Sequence, residues 1–129
     1  MAGAVGGPAA MHVTVAFFGE VAPESEPLLR GVLDEAVRDT GPLALASLGM
    51  RPFPHGARAR MVWLELAGEP ALELLAHRVA RGALAAGVST DVAAFRPHVT
   101  LGRVARGARL PREAAARLAT VAPPGAFVV

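Results

Sequence analysis

The chain repeats the triplet His-Val-Thr in two segments that both have the pattern of a β-strand. The first segment is MHVTVAFFGEV at residues 11 to 21, and the second is RPHVTLGRV at residues 96 to 104. Successive side chains of a strand point to opposite faces, so the histidine and the threonine of each triplet share one face. Two such strands near opposite ends of the sequence predict a pseudo-symmetric domain with two lobes, since their separation is too wide for a solenoid repeat.

Strand and helix patterns alternate around these triplets. Apolar side chains at helical spacing predict two long helices and a shorter one, and segments rich in β-branched and aromatic residues predict strands between them. The predicted strands cover residues 12–18, 43–53, 60–67, 95–104 and 126–129, and the predicted helices lie within residues 23–42, 69–87 and 111–121. This order predicts an α+β domain with antiparallel sheet segments and helices packed on the outside.

Length and composition predict one globular domain. The 129 residues are 53% hydrophobic and 19% charged, which excludes a disordered chain and is enough for one core. We expect residues 1–10, rich in Gly and Ala, to be a flexible lead-in and residues 11–129 to form the domain. No apolar run is long enough to span a bilayer and the first residues do not have the pattern of a signal peptide, so no membrane partner and a cytoplasmic location are expected.

Charge is divided unevenly along the sequence. Through residue 50, six acidic residues outnumber two arginines, and from residue 51 onward eleven arginines outnumber five acidic residues. A basic half favours an anionic ligand on one side, although an ordinary solvated surface has the same pattern. The net charge of +2 is too small to indicate nonspecific binding to duplex nucleic acid. Because the chain has no cysteine, thiolate catalysis, disulfides and Cys-based zinc sites are excluded.

The two triplets are suited to acid–base chemistry on a phosphodiester. Imidazoles exchange protons near neutral pH, so one histidine can accept a proton from water while the other donates one to a leaving oxygen. Thr14 and Thr100 add hydroxyl donors on the strand faces of His12 and His98. This chemistry needs no metal, and the alternative of a metal site is less favoured because each histidine recurs with threonine and not with a carboxylate or another imidazole.

The remaining candidates are interpreted as structural. His55 falls in a predicted loop and His77 on the flank of a predicted helix, and neither has the strand setting of the triplets. Trp63 lies in the middle of a predicted strand, where large aromatic side chains are mostly buried. We therefore interpret Trp63 as a core residue in preference to a platform on which a base stacks.

Three blocks of the sequence together resemble one known family. MHVTVAFFGEV, FPHGARARMVWLEL and FRPHVTLGRV agree in order and spacing with the RNA 2′,3′-cyclic phosphodiesterase or 2′-5′ RNA ligase family of the two-histidine (2H) phosphoesterase superfamily. The resemblance covers about residues 11 to 129. It implies a bilobal fold in which antiparallel sheets line a central cleft with helices outside. It also implies hydrolysis of the 2′,3′-cyclic phosphate ends of RNA, or of cyclic nucleotides, to 2′-phosphates without a cofactor, and in some members 2′-5′ joining of RNA.

The resemblance also implies a role for each site residue. By analogy, His12 donates a proton to the departing 3′ oxygen, His98 accepts a proton from water, and Thr14, Thr100 and Arg103 hold the phosphate. From the residues alone, either histidine could take either role. Relatives have a further strand and helix before the first triplet, so a truncated first lobe is expected here. The alternative function is a non-catalytic module of the same fold that binds a nucleotide or an RNA end.

Overall fold

The chain divides into two compact units, each assembled from segments that are distant in sequence. The computed structural model describes residues 3–4, 8–54, 58–90 and 95–129. Unit 1 contains residues 1–13, 45–67 and 97–127, and unit 2 contains residues 14–44, 68–96 and 128–129. The proposed boundary between a lead-in and a domain at residue 10 stays a prediction.

The described residues form five strands, three α-helices and a short 3-10 helix at Pro8–Ala10. The strands are β1 (Gly3–Ala4), β2 (Ala44–Phe53), β3 (Met61–Leu66), β4 (His98–Val104) and β5 (Ala126–Val128), and the helices are α1 (Ser25–Val37), α2 (Pro70–Ala85) and α3 (Arg112–Thr120). The predicted α+β class is confirmed. The three helices and the predicted strands from β2 onward form within a few residues of the expected positions. No helix among the described residues is long and apolar enough to cross a membrane.

Unit 1 is built on a sheet with the strand order β1-β4-β3-β2-β5. The pairings of β1 with β4, β4 with β3 and β3 with β2 are antiparallel. The central strand β3 has the sequence MVWLEL, and Trp63, Leu64 and Leu66 are buried on it. Adjacent buried residues point to opposite faces, so β3 is covered on both faces at its middle.

Unit 2 is built on α1 and α2. Its buried residues include Leu29 of α1 and Ala83 of α2, which form a cluster with Val88 and the partly buried Phe18. The start of α2 is well defined: Pro70 occupies the first turn, and the carboxylate of Glu69 accepts a hydrogen bond from the backbone N–H of Ala71 at 3.1 Å. Such a cap satisfies one of the donors that a helix N-terminus leaves free.

The strand predicted for residues 12–18 is wrong as a continuous strand. Within this segment only Val13 makes a bridge, to Val99 of β4. The chain passes from unit 1 to unit 2 directly after Val13. A strand requires a second backbone segment at hydrogen-bonding distance. The alternation of residues 14–18 does not show whether such a segment is present.

Two helical glycines test how closely α1 and α2 pack. A Cβ on Gly82 of α2 would lie 2.6 Å from a methyl carbon of Val32 on α1, whereas a Cβ on Gly31 would meet nothing within 4 Å. Alanine is favoured over glycine in a helix by about 0.5–1 kcal/mol, so Gly31→Ala should raise the free energy of unfolding by about that amount. Gly82→Ala must displace a β-branched side chain and should lower this free energy by about 1–2 kcal/mol.

Chemical denaturation of both variants checks this prediction. Replacing Val32 with alanine in the Gly82→Ala background should recover part of the loss, because the smaller side chain makes room for the new methyl group. A Gly82→Ala variant as stable as Gly31→Ala would contradict the close approach of the two helices.

Candidate active site

The second His-Val-Thr triplet begins strand β4. In the ladder with β3, His98 lies opposite Glu65 and Thr100 lies opposite Trp63. Paired residues of an antiparallel ladder point to the same face, so these four side chains share one face of the sheet, which we call the site face. His98 and Thr100 are half-buried there, and Val99 between them is buried on the other face.

A bulge in β4 decides where Arg103 lies. The register with β3 shifts by one residue at Leu101, and beyond the shift Arg103 pairs with Met61. Arg103 is five positions from His98, so regular alternation would send the two side chains to opposite faces. The extra residue reverses the alternation and brings Arg103 back to the site face. The guanidinium Nη1 of Arg103 donates to Sδ of Met61 at 3.3 Å, which agrees with this placement because Met61 is two residues from Trp63.

The first His-Val-Thr triplet meets the second through one backbone pairing. Val13 forms an isolated antiparallel bridge with Val99, so the central residues of the two triplets lie opposite each other. The residue before Val13 therefore points to the site face, and this register places His12 opposite Thr100. His12 is then a diagonal neighbour of His98, with a Cβ–Cβ separation of about 6–8 Å.

The imidazole of His12 is exposed and held at one nitrogen. Its Nδ1 donates to the backbone carbonyl of Ala10 at 2.8 Å, because a carbonyl oxygen can only accept. This hydrogen bond occupies Nδ1 and restricts the orientation of the ring, so Nε2 is the ring nitrogen that is available to a ligand.

The structure does not test the remaining histidine and threonine candidates. Thr14 is exposed and is the first residue of unit 2, so its role stays a prediction. His55 lies outside the described residues. His77 is exposed on α2 of unit 2.

Trp63 is the main site residue that the sequence did not reveal. It is buried, as predicted, but its indole also stacks on the imidazole of His98, with ring centroids 3.7 Å apart and an interplanar angle of 13°. Phe53 of β2 stacks on the same indole at 3.9 Å and 9°. The stack restricts the rotation of the His98 ring. A sequence pattern indicates that Trp63 is buried but does not give the strand register that places it on His98.

An ion pair completes the site face beside His98. Arg51 of β2 donates through Nε to a carboxylate oxygen of Glu65 at 2.9 Å. Since Glu65 is the residue opposite His98, Arg51 balances the negative charge that lies closest to His98 along the ladder. Among the described residues, no group of three or more His, Cys, Asp or Glu side chains is arranged to hold a metal ion.

The charge of the chain is separated between the two units. By sequence, unit 1 contains eight arginines and two glutamates, a net charge of +6, and unit 2 contains five arginines and nine acidic residues, a net charge of −4. His12 and His98 both belong to unit 1. The positive potential of this unit favours an anionic ligand at the site face.

The α+β fold and the pairing of Val13 with Val99, which brings the two His-x-Thr segments together, agree with the class of two-histidine phosphoesterases that the sequence resembles. A family model described as the 2′-5′ RNA ligase superfamily matches residues 7–129. The chain belongs to this family, and the resemblance inferred from the three sequence blocks is confirmed.

Individual relatives agree with this assignment. The RNA 2′,3′-cyclic phosphodiesterase of Geobacillus stearothermophilus is 31% identical over 96 residues, which cover 74% of this chain and 31% of that protein. The RNA 2′,3′-cyclic phosphodiesterase of Archaeoglobus fulgidus is 31% identical over 99 residues, which cover 77% of this chain and 54% of that protein. The matched region is thus about a third and about half of the length of these two curated relatives.

A solved structure gives the same fold. The crystal structure of E. coli LigT complexed with 3′-AMP superimposes with a TM-score of 0.65 at 26% identity, over 99% of this chain and 67% of the LigT chain. The predicted 2H phosphoesterase fold is therefore confirmed.

Proposed function

We propose that this chain hydrolyses the 2′,3′-cyclic phosphate ends of RNA, or nucleoside 2′,3′-cyclic phosphates, to 2′-phosphates. The observation that carries the proposal is the pairing of Val13 with Val99, which aligns the two triplets on one sheet. Membership of the 2′-5′ RNA ligase superfamily supports it, as do the names of the two curated relatives. The 3′-AMP bound to LigT supports a nucleotide ligand.

In the proposed reaction, the two histidines act on opposite sides of the phosphorus. His98 accepts a proton from a water molecule as the water oxygen forms a bond to phosphorus. The bond from phosphorus to the 3′ oxygen breaks, and His12 donates a proton from Nε2 to that oxygen, which leaves a 2′-phosphate and a free 3′-hydroxyl. Each of these proton transfers typically accounts for a factor of about 10² to 10⁴ in rate.

The phosphate is held by groups that complement its charge. Thr100 lies opposite His12 and presents a hydroxyl donor to a nonbridging oxygen. Arg103 adds a charged donor from the same strand, and charge-assisted hydrogen bonds of this kind strengthen as negative charge develops in the transition state. We assign Thr14 the same role as Thr100, because it occupies the corresponding position of the other triplet.

Ligation would use the same groups with a different nucleophile. If the 5′-hydroxyl of a second RNA replaces water, the same proton transfers join the two RNAs through a 2′-5′ linkage. The reverse reaction regenerates the cyclic phosphate, so hydrolysis and ligation are two outcomes of one site.

The test is turnover of a nucleoside 2′,3′-cyclic phosphate by the purified protein. We expect a nucleoside 2′-phosphate as the product, identified by phosphorus NMR, at a rate that EDTA does not change, since the proposed acid, base and phosphate donors are all side chains. A 3′-phosphate product would contradict the roles of the two histidines, and loss of activity in EDTA would contradict the metal-independent mechanism. Saturable binding without any product would favour the non-catalytic module.

A further inference from the structure

The proposed chemistry does not use a group of arginines at one end of strands β3 and β4. Arg58, Arg60 and Arg109 line a pocket of about 230 Å³, together with backbone and small apolar residues between Val104 and Ala108. We call it the arginine pocket. Its three arginines come from the segment before β3 and the loop after β4. All three side chains are exposed.

Among the described residues, no acidic side chain pairs with the arginines of this pocket. Its lining contains no carboxylate, and none of the three ion pairs found among the described residues involves these arginines. Three guanidinium groups around one pocket repel each other, and an anion between them relieves the repulsion. The planar fork of arginine donors matches the geometry of phosphate oxygens. The pocket therefore has the chemistry of a phosphate site.

The position of the pocket relates it to the site face. The backbone carbonyl of Arg60 accepts a hydrogen bond from the N–H of Val104 at 2.8 Å, so the pocket begins one ladder position beyond Arg103. Six residues of strand separate His98 from Val104, a distance of about 20 Å. Phosphates along one strand of duplex DNA are spaced about 3.4 Å apart, and at a comparable spacing about six nucleotides of a stacked RNA strand cover this distance, with fewer needed when the strand is extended.

We propose that the arginine pocket binds a backbone phosphate of the RNA, several nucleotides before the cyclic phosphate end. This inference rests on the proposed function, because the RNA end must lie at His12 and His98. It specifies the substrate: an RNA strand of at least several nucleotides engages both places, whereas a mononucleotide engages only the site face. The expected consequence is a preference for RNA ends over nucleoside 2′,3′-cyclic phosphates.

The test compares two substrates and two sets of variants. kcat/KM is measured for an octaribonucleotide with a 2′,3′-cyclic end and for a nucleoside 2′,3′-cyclic phosphate, with wild-type protein, the Arg58→Ala/Arg109→Ala variant and the control Arg117→Ala. Arg117 is an exposed arginine of α3 that does not line the pocket. We expect the double variant to lower the preference for the octaribonucleotide about tenfold and the control to leave this preference unchanged.

Binding of a labelled octaribonucleotide with a 2′-phosphate end, followed by fluorescence anisotropy, tests the pocket without any turnover. The slope of log K against log salt concentration should become shallower by about 0.7 for each phosphate contact that the double variant loses. If the wild-type protein shows no turnover but keeps an arginine-dependent affinity, the pocket stands and the proposed function fails.

Two other results would overturn the arginine pocket. Turnover of both substrates with the same preference in the double variant and in the control would overturn the arginine pocket and leave the proposed function intact. The second is an equal, arginine-dependent affinity for a poly-glutamate peptide and for the octaribonucleotide. The pocket would then select negative charge alone and not RNA.

Discussion

Replacing His98 with alanine should lower kcat for hydrolysis of a 2′,3′-cyclic phosphate by about 10² to 10⁴-fold, because the proposed mechanism then lacks the base that activates water. His12→Ala should lower kcat by a factor in the same range, because the 3′ oxygen then leaves without a proton donor. KM should change much less than kcat in both variants, since Thr100 and Arg103, the proposed phosphate donors, remain. Steady-state kinetics on a nucleoside 2′,3′-cyclic phosphate measure all of these effects.

The control for both variants is His77→Ala. His77 is exposed on α2 in the other unit, so this variant should retain wild-type kcat. His98 contributes to packing through its stack on Trp63, whereas His12 is exposed and its removal should change the free energy of unfolding by less than about 0.5 kcal/mol. A well-folded His12→Ala variant with wild-type kcat would therefore refute the two-histidine mechanism without any ambiguity from misfolding.

Replacing Trp63 with alanine should lower the free energy of unfolding by about 3–5 kcal/mol, a large fraction of the 5–15 kcal/mol typical of a domain. The indole is only 8% exposed and stacks on both Phe53 and His98. Trp63→Phe keeps an aromatic ring in the stack and should cost less than half as much. Urea denaturation followed by circular dichroism measures the change, because Trp63 is the only tryptophan and its fluorescence is lost in every such variant.

Measurements of kcat distinguish a packing role of Trp63 from a role in orienting His98. If the stack orients His98, Trp63→Phe should keep kcat within a few-fold of wild type, and Trp63→Leu should lower it by at least about tenfold under conditions where both variants are folded. Phe17→Ala is the matched control, since this aromatic side chain is 79% exposed and should change stability by less than about 0.5 kcal/mol. Equal kcat in the phenylalanine and leucine variants would restrict Trp63 to a packing role.

Local patterns predicted most of the secondary structure. The three helices follow from apolar spacing, and the structure adds the cap that Glu69 and Pro70 provide at the start of α2. Strand β3 follows from its dense run of aromatic and branched residues. These features depend on interactions within a few residues of each other, which a sequence displays directly.

The strand predicted after His12 shows where local patterns fail. Residues 12–18 alternate as a strand does, yet only Val13 has a ladder partner among the described residues. The alternation of side chains along a segment indicates which of them are suited to burial, whereas a strand also requires another backbone at hydrogen-bonding distance. Whether that backbone is present depends on where the chain leaves unit 1.

The sequence by itself determined which groups are available for the proposed chemistry: two imidazoles, each two residues before a threonine hydroxyl, and arginines that favour an anion. The tertiary structure decided which of these groups lie together. The Val13–Val99 bridge joins the two triplets, the bulge at Leu101 turns Arg103 to the site face, and the register of β3 places Trp63 on His98. The physical reason is that residue identity fixes donors, acceptors and charge, whereas strand register depends on backbone hydrogen bonds between segments far apart in the chain, and a shift of one residue reverses the face of every side chain that follows.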